Sequence, residues 1–279
     1  MKSKRDPLST FLLTVVHAAA AIAIFIVVAI VIYVVVNGVP NLSPELFSFT
    51  YNSDNQSMFP SLINTLLMVA LALVMAGPIG ILAAIFLVEY AASGSKLVRV
   101  IRLTTETLSG IPSIIFGLFG RICFVVVLGM GLSLISGACT VALMILPLVI
   151  RTTEEALISV PKSYREGSYG LGAGKLRTVF RIVLPSALPG IFAGVILAVG
   201  RIVGETAAII YTAGSIAEIP SSIFDSTRTL AVHMYVLSNE GLYIDKTYAT
   251  AFILLLLVLA LNALSTFVAK KLTKGAGEK

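Results

Sequence analysis

Arg121 and Arg201 both lie inside long apolar stretches, and their chemistry is the first feature of this sequence that needs an explanation. An arginine near the centre of a bilayer costs roughly 2.5–3.5 kcal/mol on insertion scales, so such a residue usually faces a cavity or a partner. Each follows the last basic residue before its stretch, Arg102 or Arg181, at a similar distance, which predicts similar depths. Two guanidinium groups at one level suit an oxyanion, because arginine binds phosphate-like groups in bidentate fashion. Alternatively, each arginine extends to the outer interface or pairs with an acid.

The segment Gly204-Glu205-Thr206 is a small, polar patch that is unusual inside an apolar stretch. Glu205 follows Arg201 by one helical turn, and it could tune the arginine, accept a hydrogen bond from a protonated anion, or simply neutralise the charge. The polar surroundings favour the first two roles. We therefore expect Arg201, Glu205 and Thr206 to line a pathway, with Arg121 as a further candidate.

The segment Gly110-Ile111-Pro112-Ser113 interrupts another apolar stretch. Proline removes a backbone donor and frees carbonyl groups, so Gly110 and Pro112 predict a break in the helix. A broken helix can direct backbone dipoles, together with Ser113, at an ion. A packing kink explains the same residues equally well.

Composition identifies the elements that must position these residues. The chain has 279 residues, of which 57% are hydrophobic and 12% charged, and its mean hydropathy is +0.99. Soluble domains carry about 25% charged residues, so we expect an all-α, polytopic membrane protein. A helix needs about 20 apolar residues to cross a bilayer, which predicts six spans: 11–36, 61–90, 104–128, 138–150, 184–211 and 247–268. The fourth is short unless its helix continues through residues 152–157, and residues 212–246 are expected to form an outer cap with a short helix.

The distribution of Lys and Arg predicts the orientation. Six spans place both termini on one side, and sixteen of the twenty basic residues lie in the termini and in the loops 96–102 and 151–181. Only Arg228 and Lys246 lie on the other side, so the positive-inside rule predicts cytoplasmic termini. The same rule explains the net charge of +6 without a nucleic-acid partner. The expected divisions are a tail (1–10), the first span with an outer loop (11–60), a membrane core (61–269) and a second tail (270–279).

The remaining candidate side chains indicate no catalytic or metal site. Cys123 and Cys139 lie in apolar stretches, as buried small hydrophobes do, and His17, His233, Glu89 and Glu106 are expected at interfaces. The glycine-rich run 170–175 is not a phosphate loop, because Tyr169 replaces its first glycine and Leu176 replaces the Ser or Thr that binds magnesium. We therefore expect no cofactor, no metal and no enzymatic activity in this chain.

The polar interval 164–185 separates two apolar stretches on the side predicted to be cytoplasmic. Its charged residues are Arg165, Glu166, Lys175, Arg177 and Arg181. These features predict a partly helical loop at the membrane surface. Pro185 would open the next helix, at a position that tolerates a missing N–H group.

The same interval resembles the EAA loop of binding-protein-dependent ABC importer permeases, in which Glu-Ala-Ala is followed at fixed spacing by Gly, Ile and Leu-Pro. The matching residues are Glu166, Gly172, Ile182, Leu184 and Pro185, whereas Gly167 and Ser168 replace the two alanines. The resemblance implies the type I ABC importer permease fold and a coupling helix over 166–172 that docks into a cytoplasmic ATPase. The residues it assigns to coupling are Arg165, Glu166, Gly167, Ser168, Gly172 and Lys175.

Four further stretches resemble the phosphate (Pst) importers among these permeases, specifically their A-type subunit. They are GIPSIIFGLFG (110–120), LPLVIRTTEEAL (146–157), GETAAI (204–209) and TLAVHMYVLSNEG (229–241). The resemblance implies phosphate import across a prokaryotic inner membrane, and it implies transport roles for Arg201 and Glu205. The implied partners are a C-type permease forming a heterodimer, an ATP-binding homodimer and an extracytoplasmic phosphate-binding protein. Another oxyanion, such as molybdate or sulfate, stays open as the substrate, and a self-sufficient secondary transporter stays open as the class.

Overall fold

A computed structural model describes residues 7–92 and 94–277, and every regular element in these ranges is helical. The α-helices are α1 (Pro7–Gly38), α2 (Phe59–Ile85), α3 (Lys96–Ser109), α4 (Ser113–Gly120), α5 (Leu134–Ser159), α6 (Lys162–Gly170), α7 (Lys175–Thr178), α8 (Leu184–Val203), α9 (Ala207–Thr212), α10 (Leu230–Glu240) and α11 (Ile244–Gly277). Three π-helical turns continue α2, α4 and α7, over Phe86–Tyr90, Arg121–Val127 and Val179–Val183. Two 3₁₀ turns, Val39–Asn41 and Pro44–Phe47, follow α1.

Five of these helical segments are long and apolar enough to cross a membrane, and a bent pair makes a sixth if it counts as one span. The five are Leu8–Asn41, Phe59–Tyr90, Leu134–Ser159, Lys175–Val203 and Ile244–Val268. The pair Lys96–Ser109 and Ser113–Val127 is bent by 102°. The all-α, multi-span architecture predicted from the apolar runs is therefore confirmed.

The helix break predicted at Gly110 and Pro112 is confirmed, whereas the predicted bounds of the fifth span are wrong. The third span does not run straight from residue 104, because Pro112 has an extended backbone and its neighbours turn the chain by 102°. The fifth begins at Lys175 and ends at Val203, instead of spanning 184–211. Pro185 lies in the first turn of α8, as predicted, but a π-helical turn immediately before α8 continues the helix back to Lys175. The fourth span does continue through residues 152–157 and ends at Ser159.

Helix α5 forms the centre of the bundle. In the most apolar 18-residue stretch of α5, 67% of the residues are buried, whereas none is buried in the corresponding stretches of α1 and α11. Small residues bring α2 and α8 close to it, because a Cβ on Gly80 would lie 2.7 Å from a Val149 methyl carbon and one on Gly194 would lie 2.6 Å from the Thr152 Cβ. Membrane helices, which gain little from the hydrophobic effect, commonly associate through such close backbone contacts.

Helices α4 and α9 run side by side against the outer part of α5. A Cβ on Gly117 would lie 2.9 Å from the Ala208 Cα, and one on Gly120 would meet both Thr140 and Thr212. Residue numbers increase together in these contacts, so the two short helices are parallel. Helix α1 lies at the periphery, where Gly38 packs on Tyr248 and Phe252 of α11.

The outer cap expected over residues 212–246 contains the predicted short helix, α10. It covers a polar cluster in which Arg228 is buried and His233 is fully buried. His233, which was expected at an interface, is thus enclosed by protein on all sides. The Arg228 guanidinium donates to the Ser215 carbonyl through Nε (2.7 Å), contacts the Tyr51 ring, and lies 3.4 Å from His233 Nδ1 through Nη1.

Candidate functional site

Arg165 of α6 holds the polar segment 162–178 against the membrane bundle. Its Nε and Nη2 donate to Glu89 Oε1 at 3.0 and 2.6 Å, while Nη1 and Nη2 donate to the carbonyls of Val160 and Leu157 at 2.9 and 3.0 Å. The two side chains are 17% and 6% exposed, so this is a largely buried ion pair. Because the last carbonyls of a helix have no partner within it, Arg165 also caps the end of α5. One side chain thus joins α6, the end of the second span and the end of α5.

A second internal contact closes the turn between α6 and α7. The hydroxyls of Ser168 and Thr178 are 2.8 Å apart and both residues are buried. Gly172 has a φ of +80°, a conformation that side-chain-bearing residues rarely adopt, which fits the glycine of the predicted motif. Ser168 is therefore directed inward, as Arg165 is.

The outer surface of the same segment carries the other predicted coupling residues. Glu166, Gly167 and Lys175 are exposed, and the Lys175 ammonium lies 5.0 Å from the centre of the Tyr90 ring. Four large apolar side chains are exposed beside them: Tyr164 (51%), Tyr169 (43%), Leu171 (91%) and Leu176 (65%). These four were not among the predicted site residues, although an apolar side chain next to a left-handed glycine in a polar loop is a usable signal. The segment presents a mixed polar and apolar face away from the bundle.

Arg121 and Arg201 have no hydrogen bond or ion pair with any residue in the described ranges. The ion pairs found there are Arg102–Glu154, Arg151–Glu155 and Arg165–Glu89. Arg201 is half-buried in the last turn of α8, where the helix dipole favours a positive charge. Arg121 is exposed on the bundle and begins the π-helical turn after α4. Both guanidinium groups therefore keep their full set of donors for a ligand or a partner.

Glu205 is buried but does not pair with Arg201. Helix α8 ends at Val203, so the two residues no longer stack on one helical face, and the Glu205 carboxylate accepts the Ala208 N–H at 2.9 Å. This bond caps the start of α9. Thr206, whose backbone stands at the N-cap position, is half-buried, and so is Ser113 at the start of α4.

The helix contacts give the relative depths of the two arginines. Gly190 packs on Ala156 and Gly194 on Thr152, so α8 and α5 are antiparallel, and extending this register places Arg201 level with Ile145. Arg121 follows Gly120, which packs on Thr140. Thr140 and Ile145 are five residues apart on α5, which corresponds to roughly 8 Å. Arg121 therefore lies about one and a half turns from Arg201, towards the start of α5. The equal depths predicted by counting are wrong, because the bend at Pro112 invalidates the count from Arg102.

Arg121 and Thr206 come together in a cleft of about 690 Å³ between α1, α4, α9, α10 and α11. Its other hydroxyl-bearing residues are Tyr211, Tyr235, Ser238, Thr247 and Tyr248. Apolar side chains, among them Val34 and Met234, line the rest. Arg201 and Ser113 are not among the lining residues. The sequence alone could not assemble these hydroxyls, because they come from segments that meet only in the folded bundle.

The described side chains do not build a metal centre, since no group of three His, Cys, Asp or Glu residues lies close enough together among them. What they build is a membrane-embedded helical bundle that carries one exposed and one half-buried arginine without an ion-pair partner in the described ranges, and an exposed, internally braced helix at one end. This arrangement is typical of the membrane subunit of a multi-component transporter.

Solved transporter structures share this fold. A bacterial alginate ABC transporter in complex with its periplasmic protein superposes with a TM-score of 0.69, over 98% of this chain and 99% of that one, at 15% identity. The methionine ABC transporter MetNI, in an inward-facing conformation, gives a TM-score of 0.55 over 78% of this chain and 94% of that one, at 20% identity. At these identities the similarity establishes the fold, which is that of type I ABC importer permeases.

The chain belongs to the family of binding-protein-dependent transport system inner membrane components, whose model matches residues 76–275. A probable ABC transporter permease of Bacillus subtilis, YqgI, is 34% identical over 91% of this chain and 94% of its own length. The phosphate transport system permease protein PstA 1 of Mycobacterium tuberculosis is 34% identical over 77% of this chain and 72% of its own length. The resemblance predicted from the loop at 164–185 is thus confirmed. The chain is a multi-pass ABC importer permease, and such permeases work with another permease, an ATP-binding subunit and a substrate-binding protein.

Proposed function

We propose that this permease carries inorganic phosphate inward across the cytoplasmic membrane of a prokaryotic cell. The observation that carries the proposal is the pair of unpartnered arginines, Arg121 and Arg201, within one helical core of a chain whose relatives include a phosphate permease. A half-buried cation such as Arg201 is costly without an acid unless a ligand compensates it, and guanidinium groups match the geometry of phosphate oxygens.

The proposed pathway is lined by Arg121, Thr206, Arg201, Glu205 and Ser113. The anion first meets Arg121 and Thr206 in the outer cleft and then moves about 8 Å inward to Arg201. Glu205 accepts a hydrogen bond from a protonated phosphate while its other contact, to the Ala208 N–H, keeps the carboxylate in place. The break at Gly110–Pro112 positions Ser113 at the entrance of α4.

Energy for this movement comes from outside the chain. Moving a dianion inward against about 100 mV costs roughly 4.6 kcal/mol, at about 2.3 kcal/mol per charge. An ATP-binding homodimer supplies it by docking on the exposed face of the segment 162–178, which includes Glu166, Gly167, Lys175 and Leu171. Arg165 and Ser168 do not touch the ATPase in this proposal; they fasten the docking helix to the bundle.

The route from the docking face to the pathway is a single helical segment. Lys175 lies at its start and Arg201 in its last turn, because α7, the π-helical turn and α8 are continuous. We therefore expect a displacement of α6 to move Arg201 through this continuous helix. The Arg165–Glu89 pair delivers the same displacement to the second span.

The assembly is a heterodimer with a C-type permease, served by an extracytoplasmic phosphate-binding protein. Both termini lie in the cytoplasm, as the distribution of basic residues favours; of these, Lys2, Lys4, Arg5 and Lys279 lie outside the described residues. Residues 61–269 form the permease core. Residues 11–60 form a peripheral span with an outer loop, consistent with the packing of α1 on α11.

The test is uptake of labelled phosphate in cells that lack their own high-affinity system and carry this chain with its partner subunits. Excess arsenate, sulfate and molybdate serve as competitors. We expect uptake that depends on this chain and is inhibited by arsenate alone. Absence of phosphate uptake by an assembled complex, together with uptake of sulfate or molybdate, would reassign the substrate and leave the permease fold standing.

A further inference from the structure

Helix α3 has three distinct faces. Val98, which is buried, and Ile101, which is half-buried, point into the bundle. Leu97, Val100 and Leu103 form a second face, and they are 58%, 58% and 63% exposed. The third face is polar and contains Arg99, Arg102 and Glu106, with Lys96 at the start of the helix. An exposed apolar strip beside a basic strip is the pattern of a helix that lies in a membrane interface.

The fold places α3 at the edge of the membrane and across the direction of the spans. It makes an angle of 102° with the apolar segment Ser113–Val127. Its start lies only a few residues after Tyr90, where the second span ends, and Arg102 forms an ion pair with Glu154 near the end of α5. Two span ends therefore fix α3 at one membrane boundary, running nearly parallel to the surface.

The charges around the exposed strip favour an anionic surface over a protein partner. Lys96 and Arg99 have no carboxylate partner among the described residues, and Arg102 is only partly neutralised, because its side chain remains 49% exposed. Glu106 is the single acidic residue of α3. A groove of about 400 Å³ beside this face, lined in part by Ser95, Arg99 and Arg102, has room for a polar headgroup.

We propose that α3 binds anionic phospholipid at the membrane surface. Leu97, Val100 and Leu103 enter the boundary between headgroups and acyl chains, and Lys96 and Arg99 contact the lipid phosphates. A basic residue near an anionic bilayer contributes about fivefold to local lipid binding, equivalent to about 1 kcal/mol. The site is independent of the transported substrate, since it uses none of the pathway residues.

The chain contains no tryptophan, which makes a single introduced tryptophan a specific reporter once the signal of a complex with the parent chain is subtracted. We would place it on the apolar face (Leu103→Trp) and, as a matched control, on the polar face one turn away (Glu106→Trp). The assembled complex is reconstituted in phosphatidylcholine bilayers containing 30% phosphatidylglycerol. Quenching is then compared between bilayers in which one or the other lipid carries brominated acyl chains.

We expect Leu103→Trp to be quenched more strongly than Glu106→Trp. At equal mole fraction, brominated phosphatidylglycerol should quench it at least twofold more than brominated phosphatidylcholine. Adding Arg99→Gln should bring this ratio closer to one, and adding Lys96→Gln should bring it closer still, while Leu103→Trp remains quenched. Equal quenching by the two lipids, unaffected by Arg99→Gln, would overturn the anionic preference. Absence of quenching by either lipid would show that protein covers this face, and it would overturn the proposal entirely.

Discussion

Arg165 lies at one end of the membrane bundle and Arg201 near its middle, level with Ile145, and their surroundings differ in kind. The Arg165 guanidinium donates to one carboxylate and two backbone carbonyls. Arg201 is half-buried in the last turn of α8 and donates to no acceptor in the described part of the chain. Both residues were predicted from the sequence as functional, Arg165 from the resemblance of its loop and Arg201 from its position inside an apolar stretch and from the resemblance.

The difference separates two uses of a buried charge. A charge that the fold already neutralises has a structural role, because removing its partner leaves an uncompensated ion in a low-dielectric site. A charge that the fold leaves unneutralised must be compensated from outside, by a ligand or another subunit. By this criterion Arg165 braces the docking helix, and Arg201 is available to an anion.

The strongest test of the comparison is Arg201→Ala. We expect uptake of labelled phosphate to fall at least 100-fold while the complex assembles at its normal level, because no internal contact is lost. Arg177→Ala, which removes an exposed charge from α7, is the matched control and should retain uptake. Normal uptake by Arg201→Ala would remove this residue from the pathway.

Breaking the Arg165–Glu89 ion pair should mainly lower the stability of the complex. Removing one partner of a buried pair costs about 3–5 kcal/mol, so Arg165→Met and Glu89→Gln should each lower the unfolding temperature of the purified complex markedly. The double variant should be less destabilised than the sum of the two, because no charge is left unpaired. Purely additive losses would show that the two side chains do not depend on each other.

The outer cap offers a partnered arginine that can be tested by pH. Helix α10 lies outside the candidate spans, and burial, together with the positive charge of Arg228, lowers the pKa of His233 from 6.5 to about 3. Between about pH 3 and 6.5, His233 binds a proton in the unfolded state but not in the folded state. The contribution of His233 to the free energy of unfolding is therefore complete above pH 6.5 and decreases as the pH falls towards 3. By pH 5 the loss is about 2 kcal/mol. His233→Gln should flatten this acid limb in thermal unfolding of the complex; an unchanged slope would mean that other groups cause it.

Glu166→Ala and Leu171→Ala should have the smallest effect on folding. Both side chains are exposed and make no described contact, so we expect changes within about 0.5 kcal/mol of the parent. Co-purification of the ATP-binding subunit should nevertheless decrease, most for Leu171→Ala. If either variant lost stability but still bound the ATP-binding subunit fully, its residue would have a structural role, as Arg165 does.

The sequence predicted those parts of the molecule that depend on local patterns. Apolar run lengths predicted the spans, and fixed spacing identified Gly172, which has a left-handed backbone in the structure. What it could not predict depends on distant segments. Glu205 caps α9 because α8 stops at Val203, His233 is buried because the cap folds over residues 51–57, and the hydroxyls around Arg121 converge from several helices. No periodicity within one segment encodes such contacts.

The π-helical turn at Arg121–Val127 has a consequence for how Arg121 can move. A π turn holds one residue more than the α-helical ladder needs, and neighbouring turns can exchange this surplus without losing the helix. Passing it by one turn rotates the residues in between by roughly 100°, which is one residue of an α-helix. Arg121 stands at the first position of that turn. If the surplus residue migrates, the Arg121 guanidinium would therefore rotate between the cleft and the neighbouring helix face while the bundle around it stays packed.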